Sequence, residues 1–200
     1  MWIWSWQGNL HNADDELEFE CMAIKQDHSQ DVKNVTWHPT RELLVSTSYD
    51  GCWKAYKDVM GDEWECTVTV PQAHAGETVW QAAWINDQCI CTVGDDYCIK
   101  VWNVLEGGLL VAELKLNTAA LSVSVRQLEN VAEAELVVGC TDSTVRILKF
   151  SSEGGLLEQC GMMEVAHSAD VNSVAWMGNG QKIVSCSDDG SIVISNRAEY

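Results

Sequence analysis

Short runs along this chain alternate between apolar and polar positions or are wholly apolar. Arg41-Glu42-Leu43-Leu44-Val45-Ser46-Thr47-Ser48 and Ala134-Glu135-Leu136-Val137-Val138-Gly139-Cys140 have the length and period of β-strands. They end at turn residues such as Tyr49-Asp50-Gly51 and Asp188-Asp189-Gly190, where Asp and Gly favour a tight reversal. No long segment carries a helical period, so the expected class is all-β. Asp58 to Trp64, Leu105 to Leu109 and Ser151 to Leu156 read as surface loops within one domain.

The strands belong to a repeat. His28-Ser29-Gln30-Asp31-Val32-Lys33-Asn34-Val35-Thr36-Trp37 is echoed 139 residues later by His167-Ser168-Ala169-Asp170-Val171-Asn172-Ser173-Val174-Ala175-Trp176. A third of that interval is close to the roughly 40 to 45 residues of a four-stranded propeller blade. One step of 46 from His28 reaches His74, and the next reaches Ala120, which has no imidazole. Asp50, Asp96, Asp142 and Asp189 keep the step throughout, at 46, 46 and 47 residues. Runs such as Cys98-Ile99-Lys100-Val101-Trp102 and Thr144-Val145-Arg146-Ile147-Leu148 follow these aspartates.

Counted from the histidine, positions 18, 22 and 28 carry a hydroxyl, an aspartate and an aromatic. One unit has His28, Ser46, Asp50 and Tyr56, and the next has His74, Thr92, Asp96 and Trp102. The last has His167, Ser185 and Asp189 with Ser195 in the aromatic position, while the third keeps only Asp142. A relay from Asp through His and the hydroxyl to the aromatic fastens the loop before the innermost strand onto the third strand, each buried polar group being paired. Ser, His and Asp also make a hydrolase triad. Recurrence at fixed spacing, without a Gly-x-Ser-x-Gly turn, favours bracing over catalysis.

Trp2-Ile3-Trp4 reads as the third strand of a blade and Leu17 to Ile24 as its fourth, while Ile192-Val193-Ile194-Ser195 reads as a third strand followed by no fourth. The expected division is a half blade at 1–27, blades at 28–73 and 74–119, a degenerate blade at 120–166, and a blade lacking its last strand at 167–200. Four wedges of about 51° cover little over half a circle. The expectation is an open arc of an incomplete seven-bladed ring, from a chain lacking N-terminal blades. The alternative is a compact four-bladed ring closed by Leu17 to Ile24, which removes exposed strand edges.

Composition narrows the function. The chain is 46% hydrophobic and 21% charged, an ordinary globular balance. It has no run of eighteen apolar residues, and its N-terminus lacks the basic flank of a signal peptide. Twelve Lys and Arg against thirty Asp and Glu give a net charge of -18, which disfavours direct nucleic-acid or anionic-membrane binding and suits basic or neutral protein surfaces. The nine cysteines form no CxxC pair, and Cys89-Ile90-Cys91 with Cys98 has no histidine nearby to complete four ligands. They read as reduced, buried thiols of a cytosolic or nuclear protein with no metal and no cofactor.

Blade geometry places the residue before each turn aspartate, and the residue before each first-strand valine, at the rim of one face. These are Tyr49, Asp95, Thr141 and Asp188, with Asp31, Thr78 and Asp170. Four of the seven are acidic, a surface suited to Lys or Arg from a partner, although Asp also simply begins turns. Lys54, Lys100 and Arg146 share one repeated strand position. Trp37, Trp84, Trp102 and Trp176 fall at core strand positions, whereas Trp2, Trp6, Trp53, Trp64 and Trp80 are available as interface anchors.

The first and last units carry a narrower likeness. His28-Ser29-Gln30-Asp31-Val32-Lys33 with Trp37-His38-Pro39 and Ser48-Tyr49-Asp50, and His167-Ser168-Ala169-Asp170-Val171-Asn172 with Ser185-Cys186-Ser187-Asp188-Asp189-Gly190, resemble the fourth and seventh blades of the cytosolic iron-sulfur assembly WD40 proteins. Glu77-Thr78-Val79-Trp80 resembles their fifth blade and Trp2-Ile3-Trp4 the end of their third. The resemblance implies a seven-bladed WD40 β-propeller that is a scaffold and not an enzyme. It further implies work with a small targeting subunit, a HEAT-repeat adaptor and an iron-only-hydrogenase-like cluster carrier, delivering clusters to cytosolic and nuclear apoproteins while binding none itself. Leu116 to Phe150 departs from the pattern, lacking the histidine and strand tryptophan. Lys54-Ala55-Tyr56-Lys57 keeps only Tyr56 of a Leu-Tyr-Arg tripeptide proposed, in that family, to engage a co-chaperone, and Lys57 lacks arginine's planar fork. The competing readings are a WD40 adaptor with another cargo, such as a ubiquitin-ligase substrate receptor or chromatin-complex subunit, and a hydrolase built on one His, Ser and Asp set.

Overall fold

The computed structural model describes residues 1–7, 18–61, 63–130, 132–164, 166–177 and 180–196, and these form five antiparallel sheets with no helix among them. β1 (Trp2–Gln7) pairs with β2 (Glu18–Ile24); Leu17, at which that second strand is expected to start, lies outside the described residues. The second sheet is β3 (Val32–Trp37), β4 (Leu43–Ser48), β5 (Trp53–Asp58) and β6 (Trp64–Val70). The third is β7 (Val79–Trp84), β8 (Cys89–Gly94), β9 (Cys98–Asn103) and β10 (Leu109–Lys115). The fourth is β11 (Ala120–Gln127), β12 (Glu133–Cys140), β13 (Val145–Ser151) and β14 (Leu156–Met163). The last has three strands, β15 (Val171–Met177), β16 (Lys182–Ser187) and β17 (Ile192–Asn196). Each sheet runs up and down in chain order; the second to fifth sheets pack one on the next, and the first meets the second through a smaller cluster around Ile3, the wedge arrangement of a propeller arc.

The middle strands β4, β8 and β9 are buried along their whole length, because each sheet is sandwiched between two others. Successive side chains of a strand point to opposite faces, so one strand serves two cores. Leu44 packs with Ile3, Tyr56 and Trp64 toward the first sheet, whereas Leu43 and Val45 join Val79, Ala82 and Ile90 toward the third. Likewise Leu136 and Val138 meet Cys91, Val93 and Val101, while Val137 on the same strand meets Val171, Val174 and Ile183. Each such fully buried aliphatic side chain contributes about 1.5 to 3 kcal/mol of transfer free energy.

The four innermost strands share a bulge. Register shifts between Val32 and Asn34, Val79 and Gln81, Ala120 and Ser122, and Val171 and Ser173, leaving Lys33, Trp80, Leu121 and Asn172 unpaired. The residue after the bulge reaches the next sheet. Asn34 Oδ1 accepts from Ala82 N at 3.2 Å, Gln81 Oε1 from Val123 N at 2.9 Å, and Ser122 Oγ from Val174 N at 3.1 Å. These bonds satisfy donors on the exposed edge of each innermost strand.

The tryptophans correct part of the sequence reading. Trp37 is 49% exposed: its ring packs edge-on against Trp64, centroids 5.2 Å apart, on the face turned to the two-stranded first sheet, whereas Trp84 at the same position of β7 is half-buried against the four-stranded second sheet. Trp53 and Trp64 are buried and offer no interface anchor. The Trp6 side chain lies outside the described residues.

Candidate interaction face

The structure brings each predicted hydroxyl, histidine and aspartate together. In the third sheet His74 Nδ1 is 2.6 Å from Asp96 Oδ1, His74 Nε2 is 2.8 Å from Thr92 Oγ1, and Trp102 Nε1 donates to the same Thr92 oxygen at 2.8 Å. An indole N–H only donates and a carboxylate only accepts, so one arrangement of hydrogens satisfies the chain. Trp102 donates to Thr92, Thr92 donates to His74 Nε2, and His74 Nδ1 donates to Asp96. In the second sheet His28 stands 2.9 Å from Asp50 and 2.7 Å from Ser46. Burial pushes the Tyr56 hydroxyl upward, its contact with Ser46 opposing that shift. In the last sheet His167 meets Ser185 at 2.8 Å and Asp189 at 3.1 Å, with Ser191 also at its Nδ1. Ser195 supplies no aromatic donor there.

The aspartates do more than hold imidazoles. Asp96 also accepts from Cys98 N at 2.9 Å and from Lys100 Nζ at 2.9 Å. Burial raises its carboxyl, but the bonds from His74 and Lys100 outweigh that and hold it far below the usual carboxylate range. Asp50 is likewise raised by burial and lowered further by Ser29 N, His28 and Cys52 N. Hydrogen bonds from Ser191 and Ser168 hold Asp189 low as well.

The fourth sheet does the same job differently. Leu116 N bonds Tyr97 O as Ala73 N bonds Gly51 O, so Asn117 holds the histidine's place, three residues ahead of the Ala120 reached by even spacing. Val138 stands where the hydroxyl is elsewhere, and Leu148 replaces the aromatic. Arg146 supplies the missing donors, bonding Asp142 at 2.7 Å, Asn117 at 2.6 Å and Gln159 at 3.3 Å. Burial raises the Asp142 carboxyl, and Thr144 and Arg146 bring it below its ordinary value.

The hydroxyl, imidazole and carboxylate distances are those of a catalytic triad, but the nucleophile position is closed. Ser46 and Thr92 are 0% exposed and Ser185 is 4% exposed, so no substrate carbonyl can approach them. Among the described residues no group of three His, Cys, Asp or Glu side chains is placed to hold a metal ion, and all nine cysteines are free.

The rim candidates come together in pairs. Tyr49 N donates to Asp31 O, Asp95 N to Thr78 O, and Asp188 N to Asp170 O, each at 3.1 Å, while Thr141 N bonds Ala119 O at 3.0 Å. Asp31 and Asp188 are exposed, and Tyr49, Asp95, Thr141 and Asp170 are half-buried. Two candidates are corrected. Thr78 is 8% exposed, because its carbonyl is tied to Asp95 N beside the His74 ring, and Tyr56 is 1% exposed, its ring filling the core between the first two sheets. Neither side chain is free to meet a partner. Spacing alone also misses the bulge residues, which lean over these pairs. Trp80 Nε1 donates to Asp95 at 2.7 Å, Asn172 Nδ2 to Asp188 at 2.5 Å, and the Lys33 ammonium lies 4.2 Å from the Tyr49 ring centroid.

A family model described as WD domain, G-beta repeat, matches residues 19–57, 64–103 and 159–194. Each match takes the outermost strand of one sheet and the inner three of the next; the Asn117, Val138 and Leu148 repeat lies outside them. A probable cytosolic iron-sulfur protein assembly protein 1 of Chaetomium globosum is 33% identical over 99 residues, covering 42% of this chain and 22% of that protein. A ribosome biogenesis protein WDR12 homolog of Nematostella vectensis is 24% identical over 208 residues, covering 92% and 48%. The chain thus spans less than half the length of these relatives. A chain in a crystal structure of the mitotic checkpoint complex shares the fold with TM-score 0.74 at 20% identity, covering 90% of this chain and 53% of that one.

Proposed function

From the premise that this chain belongs to the WD40 repeat family, we propose that it is a non-enzymatic protein-interaction scaffold of the cytosolic iron-sulfur assembly machinery. The observation that carries this reading is the 33% identity over 99 residues to an iron-sulfur assembly protein. It acts in the cytoplasm, helping a small targeting subunit, a HEAT-repeat adaptor and an iron-only-hydrogenase-like carrier deliver clusters to cytosolic and nuclear apoproteins. The cluster is cargo. Buried staples keep the sheets rigid, and the rim at Asp31, Tyr49, Asp95, Thr141, Asp170 and Asp188 meets partners.

Affinity purification of the tagged chain from cells, with quantitative mass spectrometry, tests the proposal. Enrichment of iron-sulfur targeting subunits is expected. Recovery of ligase or chromatin subunits without them overturns it. The alignment of 92% of the chain to a ribosome biogenesis protein favours a second reading, a WD40 adaptor with another cargo, which the same experiment separates.

A further inference from the structure

Lys33, Tyr49 and Trp80 make an arrangement that bracing does not require. Lys33 is the bulge residue of β3 and is exposed. Its ammonium lies 4.2 Å from the Tyr49 ring centroid and 5.2 Å from that of Trp80. The two rings meet edge to face, centroids 5.4 Å apart at 71°, so the cation rests where both are within reach. Trp80 is held by its indole N–H on Asp95 at 2.7 Å, which orients the ring and sets a carboxylate beside it. Among the described residues no carboxylate stands within ion-pair distance of Lys33, so the rings are what hold it.

We propose that the Tyr49 and Trp80 rings form a binding site for a partner protein's arginine or lysine side chain, and that Lys33 is its internal occupant, displaced when the partner docks. This deepens the scaffold reading and rests on it. Ring faces attract cations through their quadrupole, and the seated ammonium marks where a ligand cation goes. A protein of net charge -18 draws basic partners, and Asp31 and Asp95 add local negative charge at this rim. Arginine is the better fit, since its planar guanidinium stacks on a ring while its edge bonds a carboxylate. Lys33 is a suitable placeholder because a flexible, exposed side chain gives way at small cost.

The test is a titration of the ¹⁵N-labelled 200-residue chain with acetyl-Gly-Arg-Gly-amide, followed at the Trp80 indole N–H, which a Trp80→Phe spectrum identifies. A citrulline peptide of the same shape controls for charge, and an aspartate peptide probes Lys33 itself. The arginine peptide is expected to give a saturable shift that citrulline does not. Lys33→Ala is expected to bind about threefold tighter, by removing a competitor held by an exposed cation–π contact. Tyr49→Leu is expected to abolish the shift, which keeps the test available should Trp80→Phe not fold. Equal response to citrulline, no response, or a response to aspartate that Lys33→Ala removes each overturns the site. Because no cellular partner enters this titration, its failure is distinct from failure of the purification experiment.

Discussion

The third and fourth sheets solve one problem with two chemistries. Each must tie the crossover before its innermost strand to the turn between its second and third strands. The third does so from the crossover side, with His74 between Thr92 and Asp96. The fourth does so from the strand side, with Arg146 reaching Asp142 and Asn117. Once the imidazole is gone, no buried acceptor needs a hydroxyl, and Val138 and Leu148 complete an apolar layer. The aspartate persists in both because it has two further duties, accepting the backbone N–H two residues on and the cation four residues on.

That difference can be broken at its common point. Asp96→Ala leaves buried Lys100 with only its longer, 3.8 Å pair to the exposed Glu113 and takes the acceptor from His74, an expected loss of about 3 kcal/mol in urea unfolding. A loss below 1 kcal/mol contradicts the shared role of the aspartate. Swapping residue types between the sheets comes next. Thr92→Val strands His74 Nε2 and the Trp102 indole, costing about 2 kcal/mol, while Val138→Thr buries a hydroxyl beside no imidazole, costing about 1 to 2 kcal/mol. Both substitutions are therefore expected to destabilise, although they are the same exchange in opposite directions. A gain from either shows that the layers are not matched.

Acidity sharpens the comparison, since both sheets hold depressed carboxylates. Burial raises Asp50, Asp96 and Asp142, their hydrogen bonds lower them further, and the folded values end below the unfolded ones. Their stabilisation is present above about pH 5 and lost as pH falls toward the folded values. The thiols act in the other direction. Burial pushes Cys98 and Cys140 up to about 11, so the unfolded chain ionises first and stability falls as pH rises above about 8.5. Urea midpoints measured across pH are expected to form a plateau bounded by these two losses; stability rising toward pH 10 contradicts the buried thiols.

The smallest effect is in the turns. The residue after each repeat aspartate is left-handed in all four sheets, as Gly51, Tyr97, Ser143 and Gly190. Glycine adopts that φ freely, and Gly51 further has no room for a Cβ, which would stand 2.8 Å from the Gly76 backbone. Ser143→Gly is therefore expected to raise the melting temperature, by about 0.5 to 1 kcal/mol of stability. A lower melting temperature indicates that the Ser143 side chain is needed.

Features counted within the hairpin of second and third strands were legible in the sequence, because its fixed length keeps the hydroxyl four residues before the aspartate and the aromatic six after it. Features counted across the crossover were legible only where its length holds, as from His28, His74 and His167 to their aspartates. His28 precedes Val32 by four residues but His74 precedes Val79 by five, and in the fourth sheet even spacing falls on Ala120 rather than Asn117. Trp37 reads as core because it ends an alternating strand, yet its cover depends on the neighbouring sheet, which has two strands beside Trp37 and four beside the equivalent Trp84. The bonds from Asn34, Gln81 and Ser122 were invisible to local patterning, since their partners lie a sheet away. The site residues separate in the same way. The rim backbone pairs follow from adjacent turns, whereas Thr78 and Tyr56 were assigned to the surface because spacing carries no information on burial.

The most direct test is a double-mutant cycle of His74→Leu and Thr92→Val, read as unfolding free energies in urea with circular dichroism. If the hydroxyl, imidazole and carboxylate brace the sheet, each single change destabilises, and the double variant loses less than the two losses combined, by about 1 to 2 kcal/mol. Unfolding free energies that stay at the wild-type value in all three variants contradict the account.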